Sequence, residues 1–264
     1  MRVLCTGLSH KTAGVALRER FALDAIALRR ALADLSSHWE DAEFAILSTC
    51  NRTEIYVARP LHGHPRETAL HQWLADLGQV SADELVGSLY TLADAEACRH
   101  LFAVTAGLDS LVPGEAEIVS QVKDAYAAAQ ECGTAGKFTN AMFQAALHVA
   151  KHIRSETPIC EGKVSVSSIA VDHVLETSGG VADKRILHIG AGKVGELMLK
   201  RFATLRPAEL LICNRTPERA GDLARMCGGR AVPFEQLEAC LAMADVVLSC
   251  TASEAPILTR SLLS

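Results

Sequence analysis

Residues 48–54 combine a cysteine, an arginine and hydroxyl side chains in a short polar segment between two apolar runs. Cys50 follows a run that predicts a strand, so we expect its thiol at a strand end. The thiolate is the reactive form of cysteine, and the guanidinium of Arg52 would stabilise it. A thiolate attacks acyl carbonyls and carries the acyl group as a thioester. Two alternatives stay open: Arg52 could clamp a substrate carboxylate, and Cys50 could be an inert packing residue.

A glycine-rich motif of the form G-x-G-x-x-G lies between a predicted strand and a predicted helix in the second half. In this context the first glycine permits a tight turn, the second lets the backbone approach a pyrophosphate, and the third allows close packing of helix and strand. The alternative is a glycine-rich turn without a ligand. The predicted dinucleotide loop consists of Gly190, Ala191, Gly192, Lys193, Val194 and Gly195.

The end of the next predicted strand indicates which dinucleotide would bind. An NAD site usually offers Asp or Glu there for the ribose 2′-hydroxyl. This chain has Asn214, Arg215 and Thr216 instead. Arg215 can pair with a 2′-phosphate and Thr216 can donate a hydrogen bond to it, so the sequence favours NADP(H) over NAD(H). The alternative is that Arg215 is a solvated surface charge.

A nucleophilic thiol together with a hydride donor suits one class of chemistry. We expect the interconversion of an activated acyl group and an aldehyde.

The elements that would position the thiol predict an α+β domain over residues 1–157. Strands are predicted at 43–49 and 53–58, on either side of the Cys50 turn, after an opening strand near the N-terminus. Helices are predicted at 25–36, 66–77, 94–106 and 115–131. A long helix at 139–155 joins this domain to the second one.

Residues 158–264 predict a Rossmann-like, doubly wound parallel sheet. Apolar strands at 185–189, 209–213, 230–233 and 244–249 alternate with helices at 193–202, 216–227 and 234–243, after a helix at 165–176. Such a domain commonly has about six strands. We therefore expect a small or incomplete sheet.

Composition excludes several other classes of protein. Half of the residues are hydrophobic and 22% are charged, which argues against disorder, and the net charge of −5 argues against a general polyanion binder. The apolar stretches are too short for a membrane span, and the N-terminus has no signal-peptide pattern. Nine cysteines without metal-binding spacing indicate reduced thiols in the cytoplasm and no metal site.

Several stretches of the chain are similar to one known family. With the dinucleotide loop and residues 214–216, they resemble glutamyl-tRNA reductase over essentially all 264 residues. The Cys50 segment is highly specific for that family. The matching stretches are residues 7–13, 18–21, 48–56, 107–115 and 121–123.

The resemblance implies a two-step reaction that opens the five-carbon route to tetrapyrroles. Cys50 would attack the ester of glutamyl-tRNA(Glu), and NADPH would reduce the resulting thioester to glutamate-1-semialdehyde. His100 would assist proton transfer or orient the ester. The alternative is that His100, which lies in an apolar helix, is a core histidine with satisfied hydrogen bonds. The family's substrate-recognition motifs fall on Thr49, Asn51, Arg52, Ser110, Glu115, Ala116, Glu117 and Gln121.

The sequence departs from the family pattern at several places. Gly14 replaces a proline, and Ala116 and Glu117 replace a Pro-Gln pair, which adds a negative charge near a site expected to bind an anionic substrate. The family continues into a third, long-helical domain that forms its V-shaped homodimer, and this sequence ends before it. We therefore expect a short form that lacks the dimerisation domain. The resemblance also implies hand-over of the aldehyde to the aminomutase of the next step.

Two alternative functions remain open from the sequence. One is a non-catalytic paralogue that binds glutamyl-tRNA or regulates a full-length reductase. The other is a thiol-dependent reductase of a smaller activated acid, which the negative net charge favours.

Overall fold

The computed structural model describes residues 1–160, 165–251, 253 and 255–263. The chain divides into two compact units, Met1–Gly162 and Lys163–Ser264. The predicted boundary between residues 157 and 158 stays a prediction. Among the described residues, no helix is both long enough and apolar enough to cross a membrane.

The first unit is built around a four-stranded antiparallel sheet in the order β2-β3-β1-β4. Strands β2 and β3 form the hairpin predicted around Cys50, and β1 pairs with β3 so that Ser9 lies opposite Arg52. The strands are β1 (Arg2–Ser9), β2 (Glu43–Ser48), β3 (Arg52–Arg59) and β4 (Tyr90–Ala93).

Helices cover both faces of this sheet, which explains why seven of the eight residues of β3 are buried. Ile55 and Val57 pack on one face with α2 and α3, while Tyr56 packs on the other with α5, α6 and α7. Alternate side chains of a strand point to opposite faces, so one strand contributes to two cores. The helices are α1 (Val15–Glu19), α2 (Ala25–His38), α3 (Glu67–Gly78), α4 (Ala82–Leu85), α5 (Ala95–Thr105), α6 (Glu117–Glu131) and α7 (Lys137–Glu156).

The second unit has a four-stranded parallel sheet in the order β7-β6-β5-β8, with apolar clusters on both faces. The predicted fold class is therefore confirmed in both halves. The strands are β5 (Arg185–Ile189), β6 (Glu209–Cys213), β7 (Arg230–Val232) and β8 (Val246–Ser249). The helices are α8 (Val166–Ser178), α9 (Lys193–Leu205), α10 (Pro217–Cys227), α11 (Leu237–Met243) and α12 (Arg260–Leu263).

Some predicted elements differ from the structure. The helix predicted at 115–131 begins at Glu117, because the Glu115 N–H bonds the Val112 carbonyl and closes a turn first. The segment predicted as one helix at 234–243 begins with a 3₁₀ turn over Phe234–Gln236. Strand β4 and the short helices α1 and α4 were not predicted, since four or five residues carry too little periodicity.

Candidate functional site

Cys50 lies at the tip of the β2–β3 hairpin, and its residue is exposed. The turn is held by Thr49, whose N–H donates to the Arg52 carbonyl (2.8 Å) and whose hydroxyl accepts the N–H groups of Asn51 and Arg52 (both 3.1 Å). Such a turn, in which a hydroxyl replaces a backbone acceptor, fixes a short polar connection. The structure thus brings Thr49, Cys50, Asn51 and Arg52 together, with Thr49 engaged in the turn itself.

Charged side chains of both signs act on the Cys50 thiol. Partial burial of the sulfur raises the pKa of the Cys50 thiol, and the charges of Glu115 and Glu117 raise it further. The cation that opposes this effect is Arg18, which donates to the Cys50 carbonyl (3.4 Å). Stabilisation of the thiolate by Arg52 stays a prediction, and at neutral pH the resting group is a thiol.

Arg52 is instead the centre of a buried ion-pair network, with 2% of its surface exposed. Its Nη1 donates to Glu54 (2.7 Å), and its Nη2 donates to the carbonyl (2.6 Å) and carboxylate (2.9 Å) of Asp109. Burial lowers the pKa of Arg52, but the carboxylates of Glu54 and Asp109 outweigh it and raise the pKa. The reason is that a buried charge needs paired, hydrogen-bonded partners. A direct role of Arg52 in substrate binding stays a prediction.

Glu54 is fully buried and accepts hydrogen bonds from four side chains. The donors are Arg52 (2.7 Å), Tyr56 (2.5 Å), Tyr90 (2.5 Å) and His100 (2.8 Å). Burial by itself raises the pKa of Glu54, but the bond from His100 and the charge of Arg52 outweigh it and lower the pKa to about 2. The carboxylate is therefore ionised throughout the physiological range.

His100 lies in α5 with Nε2 on Glu54 and its ring edge-on to Tyr90. Cys5, Glu54 and His100 place a sulfur, a carboxylate and an imidazole within 4.8 Å of one another. The set does not fit a metal ion, because both oxygens of Glu54 already accept donors and the Arg52 cation lies against one of them. The catalytic role predicted for His100 stays a prediction.

The loop between α5 and α6 carries the remaining predicted substrate residues. Gly107 and Gly114 have φ values of 78° and 84°, and the Gly114 N–H bonds the Gly107 carbonyl (3.0 Å), so the loop closes on itself. Ser110 is half-buried next to Asp109, Ala116 is exposed, and Gln121 lies one turn into α6. Within this set, it is Glu115 and Glu117 whose charges reach Cys50.

Several residues around Cys50 were missed by sequence reasoning. Asp109 also pairs with Lys11, and Arg18 donates to the carbonyls of Cys50 and Ala13. The N–H of His10 donates to the Asn51 carbonyl (2.7 Å). His10, Lys11 and Arg18 share one signal, the polar segment after β1, whose nearness to Cys50 depends on the pairing of β1 with β3. Asp109 lies in the loop between α5 and α6 and has no such signal.

A second candidate site is the glycine-rich loop of the parallel sheet. Gly190 has a φ of 111°, and a Cβ there would lie 2.0 Å from the Cys250 carbonyl oxygen. A Cβ on Gly195 would lie 2.4 Å from the His188 ring, whereas one on Gly192 would meet no atom within 4 Å. Two of the glycines are thus required by packing, and Gly192 faces open space at the N-terminus of α9.

This loop opens into a cavity of about 740 Å³. Its lining includes Gly190, Ala191 and Gly192, all three residues of the predicted 214–216 segment, and Arg219, which the sequence analysis missed. Val194 packs towards the apolar core instead, and the side chain of Lys193 lies outside the described residues. The amide groups at the start of α9 and the open face of Gly192 fit a dinucleotide pyrophosphate.

The charges in this cavity are mixed. Arg215 and Arg219 are exposed, and no hydrogen bond or ion pair is described for either among the residues that the structure covers. Asn214 donates to the Thr216 carbonyl (3.0 Å) and shapes the turn between them. Glu235 and Glu238 line the same cavity, so its lining carries carboxylates as well as guanidinium groups.

Comparisons with known proteins follow the same division of the chain. Residues 6–157 match the family model of the glutamyl-tRNA(Glu) reductase N-terminal domain, and residues 172–264 match that of shikimate/quinate 5-dehydrogenase. Glutamyl-tRNA reductase from Methanopyrus kandleri is 34% identical, with a TM-score of 0.59. The alignment covers 99% of this chain and 61% of that chain, so this chain spans about three fifths of its relative's length.

Two other solved structures each align with less than half of the chain. The nucleotide-binding domain of glutamyl-tRNA reductase from Thermoplasma volcanium is 23% identical, covers 39% of this chain and 71% of that chain, and has a TM-score of 0.34. A quinate dehydrogenase from Corynebacterium glutamicum in complex with NAD is 22% identical and has a TM-score of 0.33. The alignment covers 37% of this chain and 39% of that chain. Neither likeness carries weight at such scores. The family model over residues 6–157, supported by the 34% identity, confirms the resemblance: the chain belongs to the glutamyl-tRNA reductase family, a family of oxidoreductases.

Proposed function

We propose that this chain performs the NADPH-dependent reduction of glutamyl-tRNA(Glu) to glutamate-1-semialdehyde through a thioester on Cys50. The observation that carries the proposal is the position of Cys50, an exposed residue held at the tip of the β2–β3 hairpin by the bonds of Thr49. A rigid turn presents the sulfur to a macromolecular ester while the strands behind it stay fixed.

The first step is acyl transfer from tRNA to the protein. The sulfur of Cys50 forms a bond to the ester carbonyl carbon, the bond from that carbon to the terminal ribose oxygen breaks, and the thiol proton ends on that oxygen. Because partial burial and the charges of Glu115 and Glu117 raise the pKa of the thiol, its proton has to be removed during the attack.

Recognition of the glutamyl group falls to the polar residues around the thiol. The carboxylate of Asp109 accepts a hydrogen bond from Nη2 of Arg52 and forms an ion pair with Lys11. A glutamyl carboxylate that replaced it would gain the same two cations, which is the clamp expected of Arg52. Asn51, Ser110, Ala116 and Gln121 remain proposed contacts, as does His100.

The cofactor would bind in the cavity of the second unit. The start of α9 and Gly192 would hold the pyrophosphate, and Arg215, Arg219 and Thr216 would bind the 2′-phosphate. When bound, NADPH supplies the hydride that converts the thioester to the aldehyde and frees the thiol.

The test is to trap the thioester. The chain is mixed with glutamyl-tRNA without NADPH, quenched in acid and weighed by mass spectrometry. We expect one glutamyl adduct, located by peptide mapping on Cys50, and its release as semialdehyde when NADPH is added. Cys50→Ser should form no thioester, whereas the control Cys132→Ser should behave as wild type. An adduct on another cysteine, or none, would contradict the proposal.

A smaller activated acid is a second candidate substrate. The carboxylates of Glu115 and Glu117 act on Cys50, and this negative field is less suited to a polyanion than to a small acyl donor. A glutamyl thioester that acylates Cys50 when glutamyl-tRNA does not would favour this candidate. Binding of glutamyl-tRNA without any adduct would favour a non-catalytic module. Homodimerisation and hand-over to an aminomutase stay predictions.

A further inference from the structure

His10 follows β1 directly and is attached to the catalytic turn. Its N–H donates to the carbonyl of Asn51, the residue after Cys50, at 2.7 Å. The preceding residue, Ser9, pairs with Arg52 across the sheet. The backbone of His10 is therefore hydrogen-bonded to the Cys50 turn, and this bond fixes the Cα position of His10 relative to that turn.

The ring of His10 is not committed to a structural bond. Its Nδ1 atom is buried without a hydrogen-bond partner, and no bond of either ring nitrogen is described in the part of the chain that the structure covers. A buried imidazole nitrogen without a partner costs free energy, and a functional role explains why the fold keeps it. His100 contrasts with it, because its Nε2 is held by the ionised carboxylate of Glu54.

The groups that face His10 keep the ring uncharged. Burial lowers the pKa of His10, and the cations of Arg52, Lys11 and Arg18 lower it further, against the opposing charge of Asp109. Arg18 acts on the thiol of Cys50 as well and donates to its carbonyl. The guanidinium of Arg18 thus lowers the pKa of both His10 and Cys50. At neutral pH, His10 is a neutral imidazole and Cys50 is a thiol.

We propose that His10 is the catalytic residue that carries the proton during acyl transfer. It accepts the Cys50 proton as the S–C bond forms, and it gives this proton to the ribose oxygen of the tRNA as the C–O bond breaks. Nothing is oxidised or reduced, and the imidazole ends as it began. The inference rests on the proposed function, since it assigns a role within that reaction.

Glu115 and Glu117 are the competing bases, because both charges reach Cys50. A carboxylate can accept the thiol proton, but it is a poor donor to an alkoxide leaving group at neutral pH. A neutral imidazole that becomes protonated in the first half of the step is suited to both transfers.

The experiment measures single-turnover acylation of Cys50 by intact-mass spectrometry, with the whole chain in excess over substrate and no NADPH. Two acyl donors are compared, glutamyl-tRNA and the glutamyl thioester of an acidic thiol, whose leaving group needs no proton. His10→Gln should acylate from glutamyl-tRNA about 10²–10⁴-fold more slowly than wild type, the usual contribution of a general acid–base. His38→Gln, at an exposed ring, is the matched control.

The pH profile separates proton transfer from a structural role. With the thioester, the deficit of His10→Gln should shrink as the pH rises towards the pKa of the thiol, because hydroxide then removes the proton. Wild type itself should keep its acylation rate at the ordinary histidine pKa of about 6.5 and lose it only at lower pH, because the pKa of His10 is lowered by burial and by the cations around it. This wild-type profile needs no variant and so does not depend on the folding of His10→Gln.

The outcomes are distinct. Equal acylation rates for His10→Gln and wild type would overturn the role of His10 alone. The role of His10 would also be overturned if the loss of acylation rate in His10→Gln were identical for both acyl donors at every pH. It would be overturned as well if Glu115→Gln or Glu117→Gln lost more acylation rate than His10→Gln. A wild-type chain that forms no adduct would overturn the proposed function, and this inference with it.

Discussion

The two candidate sites are built in different ways. In the first unit, side chains hold one another: Arg52, Glu54, Asp109 and His100 form one network that leaves Cys50 free at the turn. In the second, backbone shapes the site, and Arg215 is an exposed residue of the cavity lining with no bond described among the covered residues. A side-chain network makes its members costly to replace individually, whereas a backbone cradle is sensitive to added volume.

The largest expected effect comes from the network. Replacing Glu54 by Gln leaves the buried Arg52 charge with only Asp109, so we expect a loss of about 3–5 kcal/mol in the free energy of unfolding. Denaturant unfolding measures it. Glu84→Gln, at an exposed carboxylate paired with Arg20, is the control and should change little. Equal free energies of unfolding for Glu54→Gln and Glu84→Gln would show that Arg52 does not depend on Glu54 for its stability in the buried network.

The same variant predicts a change in pH dependence. Because the pKa of Glu54 is lowered from 4.5 to about 2, its stabilisation is complete above about pH 4.5 and is lost as the pH falls towards 2. Glu54→Gln should therefore lose less stability than wild type across this window. A parallel decline in both proteins would contradict the low pKa.

Much of each site could be predicted from sequence because local pattern determines it. The hairpin around Cys50 lies between two strands with clear apolar runs, and the loop from Gly190 to Gly195 lies between such a strand and an amphipathic helix. The pairing of Arg52 with Asp109 could not be predicted, since Asp109 is 57 residues away and meets it only through folding. Arg219 was missed for a similar reason: only its position in the cavity shows that it joins Arg215.

A methyl group tests the backbone cradle. Gly192→Ala has room in the structure and a φ of −85°, so the free energy of unfolding should stay near that of wild type. The added methyl lies where a pyrophosphate would approach, and we expect the affinity for NADPH and for NADH to fall together. Calorimetric titration of both nucleotides measures this. Unchanged affinity would place the pyrophosphate elsewhere.

The arginines should affect the affinity for one nucleotide only. Removing a charge-assisted bond to the 2′-phosphate costs about 1.5–3 kcal/mol, so Arg215→Ala and Arg219→Ala should each weaken NADPH binding by about 10–100-fold. NADH binding should stay unchanged. Arg225→Ala, on the same helix as Arg219 but paired with Asp222, is the control. Equal losses for both nucleotides would remove the preference for NADP(H), and Glu235 and Glu238 would then be the carboxylates to examine.

The smallest effect separates glycines that the fold needs from one that it does not. Gly221 lies inside α10, where the nearest atom to an added Cβ is the end of the Arg225 side chain at 3.7 Å. Alanine is the better helix former, so Gly221→Ala should stabilise the second unit by about 0.5–1 kcal/mol. Gly190→Ala should have the opposite sign, because its φ is 111° and its Cβ would overlap the Cys250 carbonyl. Thermal unfolding of the two variants measures both. Destabilisation by Gly221→Ala would mean that α10 is packed more tightly against a neighbour than the space around the half-buried Gly221 indicates.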